Sequence, residues 1–167
     1  MFGGGESRPS GMTNYLILKY AHIVGATVLL GTGLGIAFFM LLAHRTRSVA
    51  TIAAVARIVV LADFVFTAPA VVLQLITGVR LAQILGYPLM SGWVGLSLVL
   101  YVLIGAFWIP VVWMQMRMHI LAVGAVRMGA PLPRAYHRLF RVWFVFGIPA
   151  FSAVLIIIWL MIARPPL

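Results

Sequence analysis

Along the chain, four long apolar runs at about residues 15–43, 53–76, 93–114 and 142–163 alternate with short polar stretches. Each reaches the ~20 residues that a helix rising 1.5 Å per residue needs to cross ~30 Å of hydrocarbon. The strict alternation of a half-buried strand is absent, and lipid cannot hydrate an open sheet edge, so runs of this length are expected to be helical. The pattern predicts an all-α integral membrane four-helix bundle. Residues 1–14, rich in Gly, Ser and Pro, read as a flexible tail ahead of a single four-span domain over 15–167. The apolar run behind that tail is too long for a signal-peptide h-region, so cleavage is not expected.

Composition agrees with this reading. The chain is 64% hydrophobic and 8% charged, whereas a soluble domain carries roughly 25% charged residues. The absence of cysteine excludes disulfides, iron–sulfur clusters, thiolate zinc and a cysteine nucleophile. The net charge of +10 comes from eleven Arg and one Lys set against only Glu6 and Asp63.

Where the cations sit gives them meaning. The first connection carries His44, Arg45, Arg47 and Arg57, and the third carries Arg117, Arg127, Arg134, Arg138 and Arg141. That is eight Arg on one side against Arg8, Lys19, Arg80 and Arg164 on the other. The positive-inside rule then puts these two connections in the cytoplasm and both termini on the outer, periplasmic side of a bacterial inner membrane. Pro133 is placed to begin a short helix with Arg134, His137, Arg138 and Arg141 on one face, a surface for anionic lipid rather than nucleic acid. Pro69, Pro110 and Pro149 are expected to kink their spans, and the tryptophans to sit as interfacial anchors.

Ionisable and amide groups at membrane depth are costly, so candidate chemistry reduces to Lys19, His22, Asp63 and Gln74. Lys19 and His22 are three residues apart on the first span, and helical spacing from His22 reaches His44 on nearly the same face. His22 and His44 are ~33 Å apart at helical rise and cannot share one metal. On the second span Asp63, Thr67, Ala70, Gln74 and Thr77 form a polar or small stripe. Its outer half, with Arg80 beyond, shares the depth of Lys19 and His22, which predicts an outer polar pocket. His22 has two readings there: a ligand for haem b with Lys19 and Arg80 near the propionates, or an interhelical hydrogen bond to Gln74 or a backbone carbonyl. Met161 is the one methionine placed for a second axial position, and five-coordinate iron is the other option. Asp63 either carries a proton or locks helices by pairing with Arg57, Arg117 or Arg141, and the lock is favoured.

Other chemistry lacks its residues. There is no glycine-rich phosphate loop, HExxH or GxSxG, and no pair of embedded carboxylates for acid–base catalysis. Gly31 and Gly35 match small-xxx-small packing, which suggests a homodimer contact.

The segment LKYAHIVGATVLLGTGLGIAFFMLLAHR resembles the first helix of the HemJ type of protoporphyrinogen oxidase, with Lys19, His22 and His44 on the matching positions. TAPA at 67–70 and SGW at 91–93 follow in the same order. Over nearly the whole chain, the sequence is similar to a bacterial family of four-span membrane proteins without assigned activity, domain of unknown function 2269, itself distantly similar to HemJ and to CopD-like domains. The carrying elements are DFVFTAP at 63–69, WIPVVW at 108–113, the Arg-x-Trp-Phe element at 141–144 and Pro-Ala-Phe at 149–151. The HemJ resemblance implies haem b, His22 as its ligand and membrane oxidoreductase chemistry. HemJ chains carry a His soon after SGW where this chain has GWVGLSL, so protoporphyrinogen oxidation itself is not implied. A non-enzymatic structural subunit or small-solute carrier is the alternative. Metal import in the CopD manner ranks below both, because the outer loops lack a His or Met cluster.

Overall fold

The computed structural model describes residues 10–166. Five α-helices follow in order: α1 Ser10–Thr46, α2 Val49–Ala62, α3 Ala68–Ile84, α4 Gly92–Arg127 and α5 Arg134–Ala163. A π-helical turn, Asp63–Thr67, joins α2 and α3 into one rod, Val49–Ile84, so four candidate membrane spans result. The described residues contain no strand.

The helices outrun the apolar runs. A rod of 36 residues is ~54 Å long, against ~30 Å of hydrocarbon. The apolar pattern marks only the part in contact with lipid; helix α4 continues to Arg127 because Met118, Ala122 and Ala125 are buried against neighbouring helices. The helix expected to begin at Pro133 is likewise not a short one. It runs uninterrupted from Arg134 through the fourth span. At the start of the chain, α1 takes in residues 10–14 of the expected tail, and residues 1–9 lie outside the described residues.

The π-helical turn has a local cause. Pro69 offers no N–H to the Val65 carbonyl and its ring crowds that group. The chain relieves the conflict by widening: Ala68 N–H donates to the Asp63 carbonyl, one residue further back than in an α-helix. This register places Asp63 and Thr67 on the buried side.

Packing is uneven. Helix α4 packs on α5 and α2, α1 packs on α3 and α2, and α1 and α5 barely meet. The shared core, including Met40, Ile52, Met118, Ala122 and Tyr136, lies toward one end. That end also carries the two arginine-rich connections, because His44–Arg47 and Pro131–His137 line a common recess. Elsewhere the apolar side chains face outward. The most apolar windows have mean hydropathies of 2.1 to 2.5, yet only 11 to 28% of each is buried inside the molecule, so a lipid bilayer must cover the rest.

Two tryptophans depart from the anchoring role. Trp143 belongs to the core, and Trp108 is drawn inward to Asp63. Trp113 and Trp159 stay exposed on the outer surfaces of their helices.

Candidate functional site

Of the expected outer pocket, His22, Gln74 and Thr77 meet where α1 packs on α3, as a hydrogen-bonded cluster between the two helices. His22 Nδ1 lies 2.8 Å from Thr77 Oγ1. Thr77 has one hydroxyl proton, and it is directed 2.7 Å away to the Leu73 carbonyl. With that proton on Leu73, the threonine oxygen accepts from His22 Nδ1–H, the tautomer that leaves Nε2 with a free lone pair. Gln74 Nε2 donates to the His22 carbonyl at 3.0 Å, a second tie between the same helices. Gly78 makes room for the imidazole, since a Cβ there would lie 3.2 Å from His22 Cε1, whereas one at Gly25 would meet Leu73 and Gln74 at ordinary contact distances of 3.4 and 3.5 Å.

A Gly78→Ala variant should press on the imidazole. Helix propensity favours alanine by ~1 kcal/mol, while tilting His22 off its rotamer costs about 0.5–1.5 kcal/mol. Thermal stability is expected to stay within about 1 kcal/mol of wild type, with the change appearing in the histidine Nδ1–H resonance by nitrogen-15 NMR.

The other residues nominated for this site remain outside the trio. Lys19 is exposed, its Nζ 5.8 Å above the Tyr15 ring, and Arg80 is exposed one turn beyond Thr77. Met161 stands half-buried on α5, which packs chiefly on α4 rather than on the α1–α3 pair. Gly31 is exposed with nothing near its Cβ position, and Gly35 meets only Phe39 of its own helix.

Asp63 occupies a second polar cluster. It is 3% exposed, and Trp108 Nε1 donates to its Oδ1 at 3.4 Å. Thr67 and Gln115 also flank the carboxyl group. The expected arginine lock is not formed: Arg57, Arg117 and Arg141 are all exposed, and Asp63 takes neutral partners instead. The physical reason is rotational phase, since each of these arginines faces outward while Asp63 faces α4. Gln115, 2% exposed, escapes the sequence reading because the third apolar run ends at Met114, which puts the amide outside the span. Asp63 Oδ2, Thr67 Oγ1 and Gln115 Oε1 are buried without hydrogen-bond partners.

At the arginine-rich end, the His44 ring stacks on Phe140 with centroids 3.9 Å apart and planes 10° apart. His137 meets it edge-on at 5.7 Å. No group of three or more His, Cys, Asp or Glu able to hold a bare metal ion occurs among the described residues.

These features define a four-span helical membrane protein with two separate intramembrane polar clusters, one ending in an imidazole with an available nitrogen. The chain belongs to the family described as "Predicted integral membrane protein (DUF2269)", whose model matches residues 16–165. No protein of curated function and no solved structure matches it.

Proposed function

We propose that this protein is a haem-b-associated redox protein of the membrane, of the HemJ/CopD-like type, with His22 Nε2 as the iron ligand. The observation that carries the reading is the Thr77 contact. Metal-ligating histidines characteristically donate their second N–H to an oxygen, and here Thr77, its own proton committed to Leu73, is the acceptor. Bound haem would supply one-electron chemistry at iron. The chain's own part is positional: Thr77 holds the imidazole plane, and Gln74 ties the His22 backbone to α3. Lys19 and Arg80, exposed within a turn of His22 and Thr77, are free to meet carboxylates of a bound group. Met161 would reach such a group only from α5, which packs chiefly on α4, and would then add a second ligand, while a second copy would pack on the open face at Gly31 and Gly35. The arginine distribution supports a bacterial inner membrane, with the basic connections cytoplasmic, both termini periplasmic and anionic lipid against the basic face.

A second reading has direct geometric support. The two bonds from α3 to His22 also serve as interhelical ties, and that role suits a non-enzymatic structural subunit or carrier. Protein expressed with ample haem and purified in detergent separates the two. In the haem reading, a reduced-minus-oxidised spectrum shows a haem b band, His22→Ala removes it, and Thr77→Val weakens haem retention about 10–100-fold. If wild type shows no band and His22→Ala only lowers stability by about 0.6–2 kcal/mol, the redox reading is sunk and the tie remains.

A further inference from the structure

We propose that the recess at the arginine-rich end is a binding site for a phosphate group attached to an apolar body. This inference is independent of the haem reading. The recess, about 480 Å³, is built by three separate segments: His44, Arg45 and Arg47 at the end of α1, Val49 and Ile52 of α2, and Pro131, Leu132 and His137 before and within α5.

Its electrostatics favour an anion. Arg45 and Arg47 both line it. Asp63, the one acid among the described residues, stands 14 residues beyond Val49 along the α2 rod, ~21 Å away at helical rise. The cations of the recess therefore have no carboxylate of this chain at hand. Ser48 caps α2, its Oγ accepting from Thr51 N–H at 3.3 Å. The first N–H groups of α2, including that of Val49, which lines the recess, have no acceptor within the helix, and the positive end of the helix dipole lies at this end.

The backbone is specialised at the same place. Arg47 has φ 57°, the left-handed region in which a side-chain-bearing residue is strained and glycine is not. Glycine relieves that strain but removes the guanidinium. Behind Arg45, the His44 ring is clamped against Phe140, and its Nδ1 is buried without a partner. Val49, Ile52, Pro131 and Leu132 supply an apolar wall. Two guanidiniums and helix N–H groups above such a wall match the chemistry of a phosphate ester bearing a hydrophobic group.

The test uses the full chain in neutral detergent, titrated with inorganic phosphate, short-chain phosphatidylglycerol and short-chain phosphatidylcholine and read by equilibrium dialysis and native mass spectrometry. Wild type should bind phosphatidylglycerol over phosphatidylcholine, and R45Q/R47G should bind at least ~10-fold more weakly. Arg47→Gly alone should keep or raise the thermal midpoint, because glycine adopts φ 57° freely, so weakened binding in that variant is not unfolding. If inorganic phosphate binds as tightly as phosphatidylglycerol, the source is a soluble phosphate and the apolar body has no part. If it does not, the source is a lipid headgroup. The proposal is overturned if wild type binds neither phosphate nor phosphatidylglycerol, or if the variants bind as wild type does.

Discussion

An Ala122→Phe variant should yield little folded, monodisperse protein, and whatever survives should melt well below wild type. Ala122 is 0% exposed and lies on α4 within the core that α4 shares with α2, where Ala53 and Ala56 are also buried. Lipid is as apolar as these side chains, so the hydrophobic effect does little to press the helices together. Close approach through small residues and the resulting van der Waals contact do that work. A phenyl ring in the seam forces the rods apart, costing about 1–3 kcal/mol or more where the backbone must move. Leu103→Phe, on the lipid-exposed side of the same helix at 44% exposure, is the control. Its melting curve in detergent should match wild type, and equal destabilisation of both variants would refute the packing account.

The second large effect concerns Asp63, and its sign distinguishes an arginine lock from a neutral cluster. Were Asp63 paired to a buried arginine, Asp63→Asn would strand that cation at a cost of about 3–5 kcal/mol. With Trp108, Thr67 and Gln115 as its surroundings, asparagine keeps an oxygen for Trp108 Nε1–H and adds an N–H donor near the unpartnered Gln115 and Thr67 oxygens. The expected result is a protein at least as stable as wild type, with a gain of up to about 0.5–1.5 kcal/mol. Asp63→Leu removes the acceptor and leaves the indole N–H buried, so it should lie about 1–3 kcal/mol below Asp63→Asn in denaturant melts. Arg57→Gln, Arg117→Gln and Arg141→Gln should each stay within about 0.5 kcal/mol of wild type, as exposed positions do.

The His22 cluster was partly legible before any coordinates. Helical spacing brings Gln74 and Thr77 to one face of the second span, and equal depth brings that face to His22. What spacing cannot supply is the partner of a particular atom. Gln74 or a backbone carbonyl is the expected partner for the imidazole, yet Thr77 takes Nδ1 and Gln74 takes the backbone carbonyl of His22. That choice depends on how far α3 is rotated about its axis when Gly78 lets the His22 ring lie against it. The Asp63 cluster was less legible. Trp108 and Gln115 come from α4, nearly fifty residues away in sequence, and nothing in their local pattern marks them as neighbours of a carboxylate.

By itself the sequence determines that the chain lives in lipid and crosses it as four helices, because apolar length and backbone hydrogen bonding in hydrocarbon leave no other arrangement. It also sorts most of the arginines onto two connections, since charge avoids the hydrocarbon interior. Tertiary structure alone decides which polar groups meet: His22 with Thr77, Asp63 with Trp108 and Gln115, and Arg45 and Arg47 around one recess with His137. Those meetings follow from the rotation and lateral packing of whole helices, which small residues and the proline-driven π-helical turn set by sterics rather than by hydropathy.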